Sequence, residues 1–157
     1  MNIARTDWAR ALGALPADEI KAAAAQFARS LEVQDISLPQ AGLGLLTLTD
    51  SAFHQPFYLG EVLVARAHVV LRTADGTEAS GGAVILDDSK QLVRAMAILD
   101  AVLAARLPGW ESAATLLERG HAVQAEMAAQ RQHILARTRV DFSILGLADE
   151  EGEEDDE

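Results

Sequence analysis

From Gly60 to Leu71 the chain alternates with a period of two, and this stretch restricts the fold more than any other. Its odd positions are Glu61, Leu63, Ala65, Ala67, Val69 and Leu71, apolar after the first. Its even positions are Val62, Val64, Arg66, His68 and Val70, with Arg72 next. Successive side chains of a strand point to opposite faces, so the odd set belongs to a core. The even set mixes valines with Arg66 and His68, a face that meets either a helix of the same chain or a partner. Thr73-Ala74-Asp75-Gly76-Thr77 then reads as a hairpin turn, with Asp75-Gly76 supplying positive-φ positions. The return strand runs from Glu78 to Leu86, and its Gly81-Gly82 marks a bulge or a close approach of another backbone.

Helical periodicity flanks this hairpin. Residues 6–15 read as a short helix capped by Thr6 or Asp7, with Trp8, Leu12 and Leu15 on one face. Pro16 opens a second helix to about Ser30, with Asp18 and Glu19 where the helix dipole favours acids. Leu31–Leu38 and Gly44–Asp50 are two candidate strands separated by Pro39 and Gly42. Asp87 or Asp88 caps a helix from Ser89 to about Arg106, apolar on most sides and therefore buried on most sides. A last helix covers Thr115–Thr138, with a break possible at Gly120 and a thin seam of Leu116, Val123, Met127 and Ile134. The expectation is an α+β fold: two N-terminal helices, an antiparallel sheet of about four strands, and two C-terminal helices. One domain spans residues 1–147, followed by a disordered acidic tail over residues 148–157.

That tail carries most of the net charge of −11. Residues 149–157 hold eight acids and one glycine; without them the chain has 16 acidic against 13 basic residues, a net of −3. A run of like charges repels itself and stays solvated, and it opposes the basic stripe that nucleic-acid binding needs. The apolar run Val140-Asp141-Phe142-Ser143-Ile144-Leu145-Gly146-Leu147 just before it is expected to dock on the body or on a partner. There is no cysteine, which removes disulfides, thiolate metal sites and cysteine nucleophiles. No run approaches the ~18 apolar residues of a membrane span, and the N-terminus lacks a signal-peptide layout. A cytoplasmic location is expected.

Residues that carry chemistry are sparse. His54, His68, His121 and His133 show no metal-ligand spacing. Gly81-Gly82 is no phosphate loop, because no Gly-Lys-Ser/Thr follows, and no Gly-x-Ser-x-Gly elbow exists. Asp100 is the odd charge in an apolar helix; burying it alone is costly, so an arginine is expected beside it, and Arg66 is the candidate. The residues alone describe an α+β domain with surplus apolar surface and no self-contained active site.

The block Phe57-Tyr58-Leu59-Gly60-Glu61-Val62-Leu63-Val64-Ala65-Arg66-Ala67 resembles the Phe-x-x-Gly-Glu-x-x-x-x-Arg-Ala signature of the G subunit family of carbon–phosphorus lyase (PhnG). Asp75-Gly76-Thr77 follows at that family's hairpin spacing, and Asp100-Ala101 resembles its acidic helix position. Arg139-Val140-Asp141-Phe142 is similar to its C-terminal motif and Arg5-Thr6-Asp7-Trp8 to its Arg-x-x-Trp opening. One departure is Leu86-Asp87-Asp88, which puts Asp87 where the family often has a glycine.

The resemblance implies a subunit of a core complex with the H, I and J subunits, built around a two-fold axis, with the I subunit as the principal partner. It further implies support of a reaction in which a phosphonate attacks the anomeric carbon of ATP and adenine leaves. No cofactor is expected in this chain: ATP is a substrate of the complex, and the iron–sulfur cluster and S-adenosylmethionine belong to the J subunit. Expected partner contacts are Phe57, Gly60, Glu61, Arg66, His68, Arg139, Val140, Asp141 and Phe142. Asp75, Gly76 and Asp100 are expected as structural polar positions, with no catalytic or metal-binding residue. The alternative from another class is a stand-alone small-molecule-binding or enzymatic domain using Arg66, His68 and Asp100.

Overall fold

A computed structural model describes residues 3–137. The Arg139–Phe142 motif, the apolar run that follows it and the acidic tail lie outside the described residues. The chain divides into a body ending at Gln124 and a second unit beginning at Ala125. A 3-10 turn, Arg5–Asp7, leads into α1 (Trp8–Leu12) and then α2 (Ala17–Ser30). The sheet follows as β1 (Glu32–Thr49), β2 (Pro56–Arg72) and β3 (Glu78–Ile85), and α3 (Lys90–Ala105) and α4 (Trp110–Arg137) complete the order. The three strands are antiparallel in the order β1-β2-β3.

The α+β expectation holds, with one strand fewer. The two segments expected on either side of Pro39 are a single 18-residue strand. Pro39 has no N–H to give a ladder, which confines it to an edge or a bulge. It has both here: β1 is an edge strand, and its register against β2 shifts between Asp35 and Ser37 and again between Ser37 and Gln40. The irregularity absorbs the proline and pairing resumes as far as Thr49 opposite Pro56.

Helix α3 is the centre of the body. It lies against all three strands on one side and against α1 and α2 on the other. Val93, Leu99, Val102 and Leu103 are buried, each burial stabilising by about 1.5–3 kcal/mol. From β2 the odd residues Ala65, Ala67, Val69 and Leu71 meet it; from α2 come Ile20, Ala24 and Phe27, at helical i, i+4, i+7 spacing. Gly81 explains the tightness of the sheet–helix contact: a Cβ there would lie 2.2 Å from the Ala97 carbonyl oxygen and 2.4 Å from the Ala101 nitrogen. The close backbone approach expected at Gly81-Gly82 is therefore to α3, and it is Gly81 that requires it.

Three local expectations need correction. The N-cap of α3 is Ser89, whose Oγ accepts from Leu92 N at 3.2 Å, while Asp87 accepts one step earlier, from Ser89 N at 2.6 Å. In the β2–β3 connection only Gly76 has positive φ (87°), so Asp75-Gly76 is not a two-residue turn; Thr73 N to Thr77 O (3.0 Å) closes a five-residue loop. In α4 the buried positions are Ala113, Ala114, Leu117 and Gly120, while Met127 and Ile134 are exposed. Leu116 and Val123 of the expected seam are partly buried against the core, but the centre of the contact is Leu117 with the small residues Ala113, Ala114 and Gly120. A Cβ on Gly120 would sit 2.1 Å from the Ala11 carbonyl oxygen, so the helix continues through Gly120 without a break.

Candidate functional site

Asp100 sits on α3, 9% exposed, the one buried charged residue among those described. Its partner is Arg5, not Arg66. Arg5 Nε donates to Oδ1 at 3.0 Å and Nη2 to Oδ2 at 2.7 Å, a two-bond fork onto the carboxylate. Gly82 N adds a third hydrogen bond, to Oδ2 at 3.0 Å. The carboxylate pushes the Arg5 guanidinium above its ordinary range, the hydrogen bond being the larger cause. Arg5 also lies 6.0 Å from the Trp8 ring centroid, and Trp8 Nε1 donates to Ile3 O at 3.0 Å.

The place of this pair on the sheet is informative. β3 is an edge strand, and an open edge offers backbone groups to any passing strand. Gly82 N–H meets Asp100, and Ser80 O lies 3.5 Å from Arg5 Nη2. The ion pair thus occupies two of the backbone groups that a fourth strand would use. Asp100 therefore ties α3 and the Arg5 turn to the middle of the β3 edge.

Arg66 and His68 occupy the opposite face of the sheet, exposed. Arg66 Nε and Nη2 both donate to Gln40 Oε1, at 3.0 and 2.7 Å. His68 Nε2 lies 2.8 Å from Ser80 Oγ. Arg72 follows on the same face but is held between Glu78 (2.5 Å) and Glu32 (3.4 Å). Arg66, His68 and Asp100 therefore do not form one site, because the sheet separates them. His68 with Ser80 has the outline of a base and a hydroxyl nucleophile, yet no described carboxylate orients the imidazole.

Phe57, Gly60 and Glu61 lie on the far half of β2. β3 ends opposite Ala65, so from Pro56 to Val64 β2 pairs only with β1. The buried odd positions of β2 begin at Ala65; before it, Leu63 is 50% exposed and Glu61 is exposed. In physical terms, the core face of the sheet outruns the helix that covers it. Across the ladder Leu43 faces Leu63 and Leu45 faces Glu61. Leu43, Leu45, Tyr58 and Leu59 are all exposed, and Tyr58 reaches 71%. Gly60 has φ of 156° beside a register shift at Leu46/Thr47. Asp50 closes the ribbon tip by accepting from Phe53 N (2.7 Å) and Ala52 N (3.1 Å), bonds that lower its pKa.

Asp75 accepts from the Thr73 hydroxyl and from Thr77 N, an arrangement internal to its loop. No group of three or more potential metal-ligating side chains occurs among the described residues, and no described helix is long and apolar enough to cross a membrane. Sequence reasoning missed Arg5, Gln40 and Ser80. For Arg5 a signal existed, since it opens the Arg-x-x-Trp element; for Gln40, beyond a proline and a bulge, the register could not be counted.

No curated protein matches this chain. A family model described as phosphonate metabolism protein PhnG matches residues 3–146, nearly the whole length. Within that span lie the Arg5–Trp8 opening, the ribbon block from Phe57, the hairpin at Asp75-Gly76 and the Asp100 position, in the order the resemblance requires. The chain belongs to the PhnG family of phosphonate metabolism proteins.

Proposed function

We propose that this chain is an accessory, non-catalytic subunit of a cytoplasmic carbon–phosphorus lyase core complex. In this reading it binds the I subunit, with H and J subunits in the same two-fold assembly. It supports formation of α-D-ribose 1-methylphosphonate 5-triphosphate from ATP and methylphosphonate, with release of adenine. The iron–sulfur and S-adenosylmethionine chemistry stays with the J subunit.

The observation that carries this reading is the β1–β2 ribbon. A two-stranded hairpin is marginal in water by itself, and contiguous exposed apolar surface of this kind marks an interaction site. Between Ile36 and Val64 the only formal charges are Asp50 and Glu61. Asp50 is used in the tip, which leaves Glu61 as a lone carboxylate beside Leu43, Leu45 and Leu63. The matching partner surface is an apolar groove with one arginine or lysine opposite Glu61.

The test is co-purification of the tagged chain with the I subunit. Replacing the exposed cross-strand pair, Leu43→Asp with Leu63→Asp, is expected to abolish capture while leaving the melting temperature of the isolated chain within a few degrees. Undiminished capture would remove the ribbon as the contact. The isolated chain is also expected to release no adenine from ATP, with or without methylphosphonate; robust release would overturn the accessory role.

A further inference from the structure

The outer face of the sheet, away from α3, carries a second feature that the subunit reading does not use. Four arginines of the body end on carboxylates: Arg5 on Asp100, Arg72 on Glu32 and Glu78, Arg94 on Asp35 and Arg119 on Glu19. Arg66 ends on a neutral amide. Gln40 takes Nε–H and one Nη2–H, which fixes the guanidinium and leaves three of its five N–H donors directed elsewhere. The carboxylates of this face, Glu32 and Glu78, are both engaged by Arg72. Asp35, three rungs nearer to Arg66, pairs with Val69 on the α3 side and holds Arg94 at 2.7 Å. The positive charge of Arg66 is thus fixed in place and meets no acid on its own face.

The surroundings give it a shape. Glycines stand where neighbouring side chains would otherwise fill the face: Gly82 opposite His68, Gly42 opposite Val64 and Gly44 opposite Val62. The resulting open depression beside Gly82 has a volume of about 490 Å³ and is lined by Arg66, His68, Ser37 and Val84 among others. A smaller one of about 290 Å³ lies on the Gly42–Gly44 side and also includes Arg66. Ser37 pairs with His68 across the ladder, so a hydroxyl and an imidazole flank the guanidinium. His68 spends Nε2 on Ser80 and keeps Nδ1 for another partner.

We propose that Arg66, His68 and Ser37 form a binding site for a small tetrahedral oxyanion, the phosphate or phosphonate end of a small molecule. Arg66 and Ser37 line the concavity with donors, and His68 adds Nδ1–H in the tautomer whose Nε2 accepts from the Ser80 hydroxyl, a set that suits an anion with three acceptor oxygens better than a flat carboxylate with two. A guanidinium fork is the side-chain group best matched to such an anion. Gln40 contributes by holding the fork in one orientation, so that less side-chain freedom is lost on binding. The site stands on this chain alone and does not depend on which subunit covers the ribbon.

The experiment is titration of the full isolated chain at low ionic strength with methylphosphonate, inorganic phosphate, ATP and acetate. Binding is followed by calorimetry and by the Arg66 Nε and His68 ring signals in NMR. Saturable binding of the phosphorus anions is expected, with acetate at least about tenfold weaker. Arg66→Gln should weaken binding at least about tenfold, Arg66→Lys less, and Arg72→Gln hardly at all. Tighter binding of methylphosphonate identifies the phosphonate as the ligand, and tighter binding of ATP its triphosphate. The proposal is overturned by no saturable binding, by equal losses in the Arg66 and Arg72 variants, or by acetate binding as tightly as the phosphorus anions. Because all four ligands are added to the isolated chain, failure here leaves capture of the I subunit untouched.

Discussion

Asp100 allows a prediction in which the structure and the expectation from sequence give different numbers. In Asp100→Ala the Gly82 N–H on the β3 edge and the Arg5 fork both lose their acceptor. Breaking a fully buried pair costs about 3–5 kcal/mol, and an exposed pair is worth about 0–1 kcal/mol. Here the Asp100 side chain is 13% exposed and that of Arg5 is 55% exposed, so Arg5 is rehydrated when its partner goes. The pair should fall between those limits. Adding the stranded Gly82 N–H, the single substitution should cost about 2–4 kcal/mol, a fall in Tm on the order of 10 °C. A double-mutant cycle isolates the pairwise part: Arg5→Ala with Asp100→Ala should show a coupling of about 1–2 kcal/mol. The same cycle with Arg66→Ala should be additive within about 0.5 kcal/mol, because the sheet lies between the two groups. Urea unfolding followed by circular dichroism measures both. Coupling of Asp100 to Arg66, or none to Arg5, would refute the assignment.

Three further outcomes follow from the packing and the turns. Gly81→Ala must displace α3 from β3, since its Cβ meets backbone atoms on two residues, and should cost about 3 kcal/mol or more in urea unfolding. Gly82→Ala, whose Cβ finds Ala67 O at an ordinary 3.5 Å, is the control and should cost far less. Ser89→Ala removes the α3 N-cap and should cost about 1 kcal/mol by the same assay. Acidification should destabilise the fold, because Asp18, Glu19, Asp50 and Asp75 are all held below their ordinary pKa values by hydrogen-bond donors. For such groups the folded pKa lies below the unfolded one, so their contribution is complete above the unfolded values of 3.8 and 4.5 and is lost as pH falls through the folded ones. Urea midpoints that rise as the pH is taken from about 6 to about 2 would contradict this.

What could be read from the sequence, and what could not, divides along physical lines. The odd face of β2 was legible because a period of two needs no tertiary information, and Ala65 to Leu71 are buried as that period requires. The burial of α3 was legible because a helix apolar on most sides has no face to give to water. The joining of two expected strands into β1 was not, because Pro39 reads as a stop unless the edge position and the bulge are known. The α4 seam was legible only at Leu116 and Val123, because Ala113, Ala114 and Gly120 are buried for being small, and hydropathy ranks them below Leu116. For Asp100 the sequence shows that an acid in such a helix needs a cation. It cannot choose among 13 lysines and arginines, and Arg5 lies 95 residues away.

The elements of the family resemblance also separate by what they do in the fold. Arg5, Trp8, Ala101 and Asp100 meet around the β3 edge, where each is satisfied by another part of the same chain. Their requirement is internal: change one and the body loosens. Phe57 and Glu61 lie on a ribbon whose side chains find no cover in the body, so the packing of this chain does not call for them, whereas Gly60, at φ of 156°, serves the backbone of the ribbon itself. An exposed leucine pair across a ladder contributes little to folding, and water would favour polar residues at both places. That apolar residues stand there, on a strand that continues nine residues beyond its last pairing with β3, makes the ribbon a surface shaped for something else. Substitutions in the two groups should therefore act on different observables. Those around Asp100 lower the unfolding midpoint, and those on the ribbon lower capture of a partner at an unchanged midpoint.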